Sequence, residues 1–499
     1  MRENKFTKSK LVCTWGPAIT QKLFDLEALK NPSNAAKVDL AKKLAKEVLA
    51  SGNTVVRQNF SHGSLEEHKI RYDFAKNAAK ELGLPISMLC DTKGPELRLL
   101  EVDGEPTIDK GKEITIHCLD FVKGNANEFS ISTKPNEISN FNISKYLKVG
   151  GLVLVDDGKL QLLINKIDVD KGLIYTVALN NHYIKTKKRL NLPHANYNLG
   201  QYISEYDAGV IKFACENNYD YIAPSFVSCK QDIDDVKAEL KKHGKLGKIK
   251  IISKPENQTA ITNIDEIIEN SDGIMVPRGD LGLEVDYFQI PYYEKYMIDR
   301  CRELGKPVIV ATQMLDSMEH SPIPTRAEVT DVFYASNNGT DATMTSGETA
   351  QGQFPVRTVQ TMNRINLEGE MLFDYKKSIK DFEKRNTFST MAKKVAIDIA
   401  KKTAFKLNGR EVTAPVDFVV INTDSEEVIK AISNIRPGAN VIVITTKPEL
   451  YTAFGVYYGI RMYLGTNNSN DAKNAVKLYS NNAKGIKAVL YSEGKFNKV

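Results

Sequence analysis

No two cysteines stand at metal- or redox-motif spacing. The six cysteines lie singly at positions 13, 90, 118, 215, 229 and 301, which argues against a zinc ribbon or a thioredoxin-type CxxC. Cys13 and Cys90 fall inside apolar runs and read as reduced, buried thiols of a reducing compartment. Long apolar runs are missing as well, so no membrane span is expected. The opening residues, MRENKFTKSKLVCTWG, are basic but lack the apolar core of a secretory signal. A cytoplasmic protein is expected. Charge of one sign is scarce: 68 Lys and Arg against 62 Asp and Glu leave only +6 over 499 residues. Apart from local clusters at 185–189 and 241–248 the lysines are scattered, and Trp15 is the only tryptophan. A nucleic-acid binder needs a concentrated basic face with aromatic platforms, so none is expected. There is no internal repeat and no low-complexity tract.

What is present is an ordinary globular balance, 42% hydrophobic and 26% charged, at a length that implies roughly two to four domains. Eight short apolar runs recur: Leu11–Thr14, Thr54–Phe60, Ile86–Asp91, Tyr219–Phe226, Ile249–Ser253, Gly273–Val276, Pro307–Thr312 and Asp341–Glu348. Helical patterns separate them, among them Ala35–Ala50, Leu65–Leu82, Asp232–Lys242, Pro291–Leu304 and Arg326–Asn337. Strand–helix alternation means a parallel sheet. Eight units suit a closed (β/α)8 TIM barrel, with an open doubly wound sheet as the alternative. The alternation breaks between Arg98 and about Gly200, where short alternating strands read as an inserted small β-barrel, placed to act as a lid. After residue 370 a further strand–helix series predicts a C-terminal α/β domain: a helix over Ala392–Leu407, strands at Val416–Asn422 and Val441–Thr445 around a helix at Glu426–Ile435, and a final strand at Ile486–Tyr491. The expected division is 1–97 and 200–370 for the barrel, 98–199 for the lid and 371–499 for the third domain. Residues 1–10 read as a short polar arm.

The ends of the apolar runs carry the chemistry. Run five stops at Lys254 and Glu256, run six at Arg278 and Asp280. In a parallel barrel these are carboxyl ends, where active sites are built. Two carboxylates with one lysine suit a hard divalent cation beside a phosphoryl group. Run two puts Arg57, Asn59 and Ser61 on one face. Run three ends in Asp91 and Thr92, followed by Glu96 and Arg98, and run seven ends in Thr312. Taken singly, each has a bland reading: a surface ion pair for an arginine, a helix cap for a hydroxyl. Taken together they describe one site with cationic phosphate ligands, metal-binding oxygens and no Ser/His/Asp or Cys/His nucleophile. That set fits phosphoryl transfer by positioning and charge neutralisation.

These segments resemble one family over nearly the whole length. The stretches NTVVRQNFSHG, DTKGPELR, IISKPENQ, DGIMVPRGDLGLE, PVIVATQML and PTRAEVTDV…SGETAQG are similar to those of pyruvate kinases, in the same order and around a β-domain inserted in the same place. The resemblance implies transfer of the phosphoryl group of phosphoenolpyruvate to ADP, as in glycolysis. It implies Glu256 and Asp280 as ligands of Mg²⁺ (or Mn²⁺), and Lys254 beside the phosphoryl in transfer. It implies Arg57 on the phosphate, Thr312 beside the enolate carbon, and Gly279 and Asp280 at the substrate. Asn59, His62, Arg98 and Lys188 would face the nucleotide. Asn59, Ser61, Asp91 and the Thr92 backbone would hold K⁺, with Glu96 the glutamate that accompanies K⁺ dependence. A homotetramer is expected by the same resemblance. Competing readings are a metal-dependent aldolase or lyase of pyruvate, which needs neither Arg57, Arg98 nor a lid, and a catalytically silent relative.

Four departures stand out. Trp15 replaces a smaller aliphatic residue. A longer stretch, about 22–42, enlarges the first loop and helix. Pro255 and Pro277 sit where a β-branched residue and an alanine are usual. In the third domain the loop Asn422-Thr423-Asp424-Ser425-Glu426-Glu427 carries three acidic side chains where activated relatives bind a sugar bisphosphate. Fructose 1,6-bisphosphate activation is therefore expected to be absent.

Overall fold

Strands apolar on both faces must be covered on both, which calls for a helix after each one. The computed structural model describes residues 7–134, 137–138, 140–197, 202–404, 406–408, 411–413, 415–466, 468 and 470–499. Barrel strands one to eight are Lys10–Thr14, Asn53–Asn59, Ser87–Asp91, Tyr221–Ala223, Lys250–Ser253, Gly273–Pro277, Val308–Ala311 and Ala342–Thr345. They pair in parallel and close, strand one bonding both two and eight. The barrel is thus closed and the open sheet is excluded.

Local signals set the helices between strands. Helix Leu65–Leu82 begins where the Ser64 side chain accepts from Glu67 N, carries Glu66 and Glu67 in its first turn, and stops at Gly83 with φ 67°. Cap, first-turn acids and a left-handed glycine together define both ends. Helix Arg326–Asn337 opens with a reciprocal Thr325–Glu328 capping box.

The insertion is a second closed barrel. Its seven strands are Leu97–Leu99, Glu113–His117, Glu128–Ser132, Leu152–Val155, Leu160–Asp168, Leu173–Ala178 and Arg189–Asn191. They pair antiparallel except for Glu113–His117 with Glu128–Ser132. Alternation fills its interior with Ile114, Ile116, Leu160, Leu162, Ile164 and Ile174.

The third domain is a five-stranded sheet. Phe418–Asn422, Asn440–Thr445, Ile460–Leu464 and Ala488–Ser492 run parallel, and Lys495–Lys498 adds an antiparallel edge. Three expectations need correction here. The helix expected to reach Leu407 ends at Thr403, and Lys406–Asn408 pairs with Glu411–Thr413 instead. Strand Ile460–Leu464 went unrecognised. The strand expected to be last is followed by Lys495–Lys498, which covers one side of it.

The polar arm is also corrected. Residues 1–6 lie outside the described residues, but Thr7, Lys8 and Ser9 are buried. Lys8 Nζ pairs with Glu370 at 2.8 Å, and strand one starts at Lys10. The lumen of the large barrel (Val12, Val55, Leu89, Ile252, Met275, Ile309) forms one apolar cluster with Val419, Ile432, Phe454 and Tyr457 of the third domain. The third domain therefore seals the barrel's amino end. The carboxyl end faces the lid.

Candidate active site

Strand direction brings the charged run ends to that open end. Arg57, Asn59, Ser61, His62, Arg98, Lys188, Lys254, Glu256 and Asp280 line one cleft of about 400 Å³ between barrel and lid. A larger cavity of about 1210 Å³ adjoins it, sharing Ser61, His62, Glu96 and Arg98. Asp91 and Thr92 lie buried behind the cleft.

Lys254 is the centre. Its Nζ donates to Asp91 Oδ1 at 2.9 Å and Ser225 Oγ at 2.7 Å, and stands 3.0 Å from Glu256 Oε1. Burial alone would discharge it, but Asp91 and Glu256 outweigh burial and hold its pKa above the ordinary lysine value. Arg57 donates through Nε to Asp91 Oδ2 at 2.6 Å and through Nη1 to Thr14 Oγ1 at 2.7 Å. Asp91 therefore carries one cation on each oxygen. Burial pushes its carboxyl up, Arg57 and Lys254 push it down, and the cations prevail.

Glu256 behaves oppositely. Burial, reinforced by Asp280 and Asp91, raises its pKa against the pull of Lys254. Its Oε2 accepts from Phe226 N at 2.7 Å. Its Oε1 is buried and makes no aligned hydrogen bond. Asp280, close to it, is held below the carboxylate range, Arg189 and Lys254 overcoming burial. Two neighbouring carboxylates, one buried at Glu256 and one facing the cleft at Asp280, fit a hard dication. Among the described residues no cluster of three or more His, Cys, Asp or Glu could hold a metal. A divalent ion at Glu256 and Asp280 would thus take its remaining oxygens from substrate and water, as Mg²⁺ commonly does.

Arg278–Leu281 forms a single helical turn. Arg278 ties it to Asp331 at 2.6 Å, Thr312 O at 2.7 Å and Glu294 at 3.3 Å. Gly279 N donates to Thr312 Oγ1 at 2.7 Å, so this amide is engaged with Thr312. Thr312 has φ 70° and its neighbour Gln313 φ 52°. A β-branched residue there is strained, a feature that gathers at functional sites. The two prolines are accommodated. Strand five's ladder ends at Ser253, before Pro255, and Pro277 closes strand six opposite Ala311. Trp15 is buried and its Nε1 donates to Asn53 Oδ1 at 3.1 Å.

At the nucleotide side Lys188 Nζ donates to Asp156 Oδ1 at 2.8 Å. Arg98 Nε donates to Glu96 Oε2 at 2.9 Å. Asn59 Oδ1 accepts from Ser61 N at 3.0 Å. Thr92 O accepts from Ser225 Oγ at 2.7 Å. Asn59, Ser61, Asp91 and Thr92 supply only oxygen donors, which suits a hard monovalent cation. Both Asp91 oxygens, though, are bonded to Arg57 and Lys254.

Three contributors escaped the sequence reading. Ser225 links Lys254, Asp91 and Thr92; the strand-end logic applied to run four would have found it. Phe226, at φ 57°, presents its amide to Glu256, and only its position at the same strand end hinted at that. Arg189 sits 2.6 Å from Asp280 Oδ1, and in the sequence it is one of the basic cluster at 185–189.

Known proteins resemble this chain over most of its length. The family description "Pyruvate kinase, barrel domain" matches residues 6–359. A curated pyruvate kinase of Mycoplasma pneumoniae is 42% identical over 461 residues, 92% of this chain and 90% of that protein. One of Mycoplasma genitalium is 40% identical over 471 residues, 94% and 92% of the two chains. The crystal structure of a pyruvate kinase from Cryptosporidium parvum superposes with a TM-score of 0.83 at 29% identity, covering 99% of this chain and 96% of that one. No helix among the described residues is long and apolar enough to cross a membrane. Closed barrel, inserted lid barrel, C-terminal sheet and strand-end charges therefore have one explanation: the chain belongs to the pyruvate kinase family of phosphotransferases.

Proposed function

We propose that the chain transfers the phosphoryl group of phosphoenolpyruvate to ADP, giving pyruvate and ATP, as a glycolytic enzyme of the cytoplasm. In this reading Mg²⁺ (or Mn²⁺) is held by Glu256 and Asp280, and K⁺ by Asn59, Ser61, Asp91 and the Thr92 carbonyl. The observation that carries it is the buried ammonium of Lys254, kept charged by Asp91 and Glu256 at the floor of a cleft it shares with Arg57 and Asp280.

The transition state of phosphoryl transfer spreads negative charge over three equatorial oxygens and the leaving enolate. Lys254 meets the equatorial oxygens with a charge already in place, so little reorganisation is needed during reaction. Arg57, fixed at two of its nitrogens, orients the phosphate. Bound cations supply further positive charge at the phosphoryl and enolate oxygens. Thr312 stands on the enolate side, its hydroxyl fixed by Gly279 N and Ala311 O. Asn59, His62, Arg98 and Lys188 take the nucleotide. The lid barrel excludes water and so limits hydrolysis.

A homotetramer is the expected assembly. Fructose 1,6-bisphosphate is not an activator in this reading. Asp424 accepts from Thr445 Oγ1, Thr446 N and Thr446 Oγ1, so a carboxylate of the chain itself fills the anion-binding loop. The decisive experiment is a coupled assay with phosphoenolpyruvate and ADP, run with and without Mg²⁺ and K⁺. Turnover that needs the divalent ion and rises with K⁺ is expected. Absence of turnover under all four conditions would refute the reading.

A further inference from the structure

Arg189 has no part in the reaction described above, yet it binds at the mouth of the cleft. Its Nη1 lies 2.6 Å from Asp280 Oδ1 and 3.6 Å from Glu96 Oε1, and its Nη2 lies 2.9 Å from Asp157 Oδ1. The three carboxylates come from three places. Asp280 follows barrel strand six, Glu96 precedes the first lid strand, and Asp157 lies in the turn between lid strands Leu152–Val155 and Leu160–Asp168. Arg189 itself opens the strand by which the chain returns from lid to barrel. That strand pairs Arg189 with Arg98 and Leu190 with Leu97 and Val155.

The same strand grips the Asp280 segment a second time. Asn191 Nδ2 donates to Glu284 Oε1 at 2.7 Å, and His194 N donates to Glu284 O at 2.9 Å. Arg189 and Asn191 lie two residues apart, on one face of the strand. One contact is a charged pair whose Asp280 end lines the cleft. The other joins an amide to a carboxyl group and is buried. A guanidinium 2.6 Å from Oδ1 takes one of the two oxygens that Asp280 could offer a dication, and two positive charges that close repel strongly in a partly buried site.

We propose that Arg189 is a built-in competitor for the metal-binding carboxylate of Asp280, so that loading a divalent cation releases the lid's return strand at Arg189 while Asn191 and Glu284 remain as its pivot. This rests on the reading of Glu256 and Asp280 as the metal pair. The metal and the lid are then linked: whatever fastens one loosens the other. In the substrate-bound enzyme the freed guanidinium stays beside the cleft, available to the anions bound there.

Mn²⁺ is the probe, titrated against the full chain without substrates and followed by electron paramagnetic resonance. A tight site present in the native protein should be lost in Asp280→Asn. In Arg189→Gln the same site should bind Mn²⁺ about tenfold more tightly, with Arg189→Lys in between; the lysine variant carries the test alone if the glutamine variant does not fold. Hydrogen exchange gives a second readout. The amides of Leu99 and Asp156 donate to Lys188 O and Arg189 O, and Mn²⁺ should speed their exchange in the native protein but not in Arg189→Gln. An Asp280-dependent site whose affinity is unchanged or weaker in the Arg189 variants would overturn the competition. Exchange unaffected by Mn²⁺ in the native protein would overturn the link to the lid. No Asp280-dependent site at all would remove the metal reading, and this proposal with it.

Discussion

The two ends of the large barrel are built from the same eight strands and solve opposite problems. At the amino end several charges are buried in pairs. Arg436 Nη2 meets Asp341 Oδ2 at 2.7 Å with both side chains at most 3% exposed. Lys8 meets Glu370, and Tyr221 Oη reaches across to Ala453 O at 2.6 Å. At the carboxyl end the charges are incompletely matched. Glu256 is held with a raised pKa, Thr312 keeps a strained backbone, and Asp280 is shared between Arg189 and the cleft. Complete matching rewards stability, whereas incomplete matching leaves charge for a substrate.

The largest effect that could break this contrast is at Lys254. Lys254→Ala should lower kcat about a thousandfold with little change in KM, because a charge aimed at the transition state is lost; steady-state assays check it. An effect confined to KM would move Lys254 from the reaction to mere binding. At the closed end Asp341→Ala should destabilise by about 3–5 kcal/mol by stranding Arg436, read from denaturant unfolding, with KM unchanged. If KM changes instead, the two ends are not independent.

His68 tests the rim of the open end by pH. It is buried against Phe60, ring centroids 3.8 Å apart, and burial followed by Arg71 lowers its pKa to about 3. The unfolded chain protonates it near pH 6.5, so the unfolded state binds the extra proton and stability falls as pH drops from 6.5 towards 3. From pH 7 to 5 this should cost about 2 kcal/mol. His68→Gln should remove that part of the slope in unfolding curves measured at both pH values. Trp15 links the ends, following strand one's carboxyl end while its indole reaches Asn53 at the amino end of strand two. Trp15→Phe should cost about 1–2 kcal/mol in melting experiments, without loss of turnover. The smallest expected effect is none: fructose 1,6-bisphosphate should leave the phosphoenolpyruvate saturation curve where it is.

How much was legible follows from the range of each interaction. Strands and helices of the barrel were readable because their signals are local: alternation, caps such as Ser64 and Thr325, and stop residues such as Gly83. Lys254, Glu256, Asp280 and Arg57 were readable because a strand end is a place in the sequence as well as in space. Arg189 was not, since its partners Asp280 and Glu96 lie far along the chain and its neighbours form a basic cluster. Ile460–Leu464 and Lys495–Lys498 escaped because short strands are defined by the partners they pair with, not by their own residues. Thr7–Ser9 look polar, and only Glu370, far downstream, makes burying them tolerable.

The apolar cluster shared by the barrel lumen and the third domain has a consequence for how the chain is made. The floor of the barrel contains Val12 and Val55, and the third-domain residues in the same apolar cluster include Phe454 and Tyr457. During synthesis the first strands leave the ribosome long before their cover exists. Until the third domain has emerged and folded, a closed barrel would present its lumen side chains to water or to other chains. Chains shortened within the last strands are therefore expected to be recovered as aggregates rather than as active barrels, although the truncation lies at the far end of the barrel from every residue of the cleft.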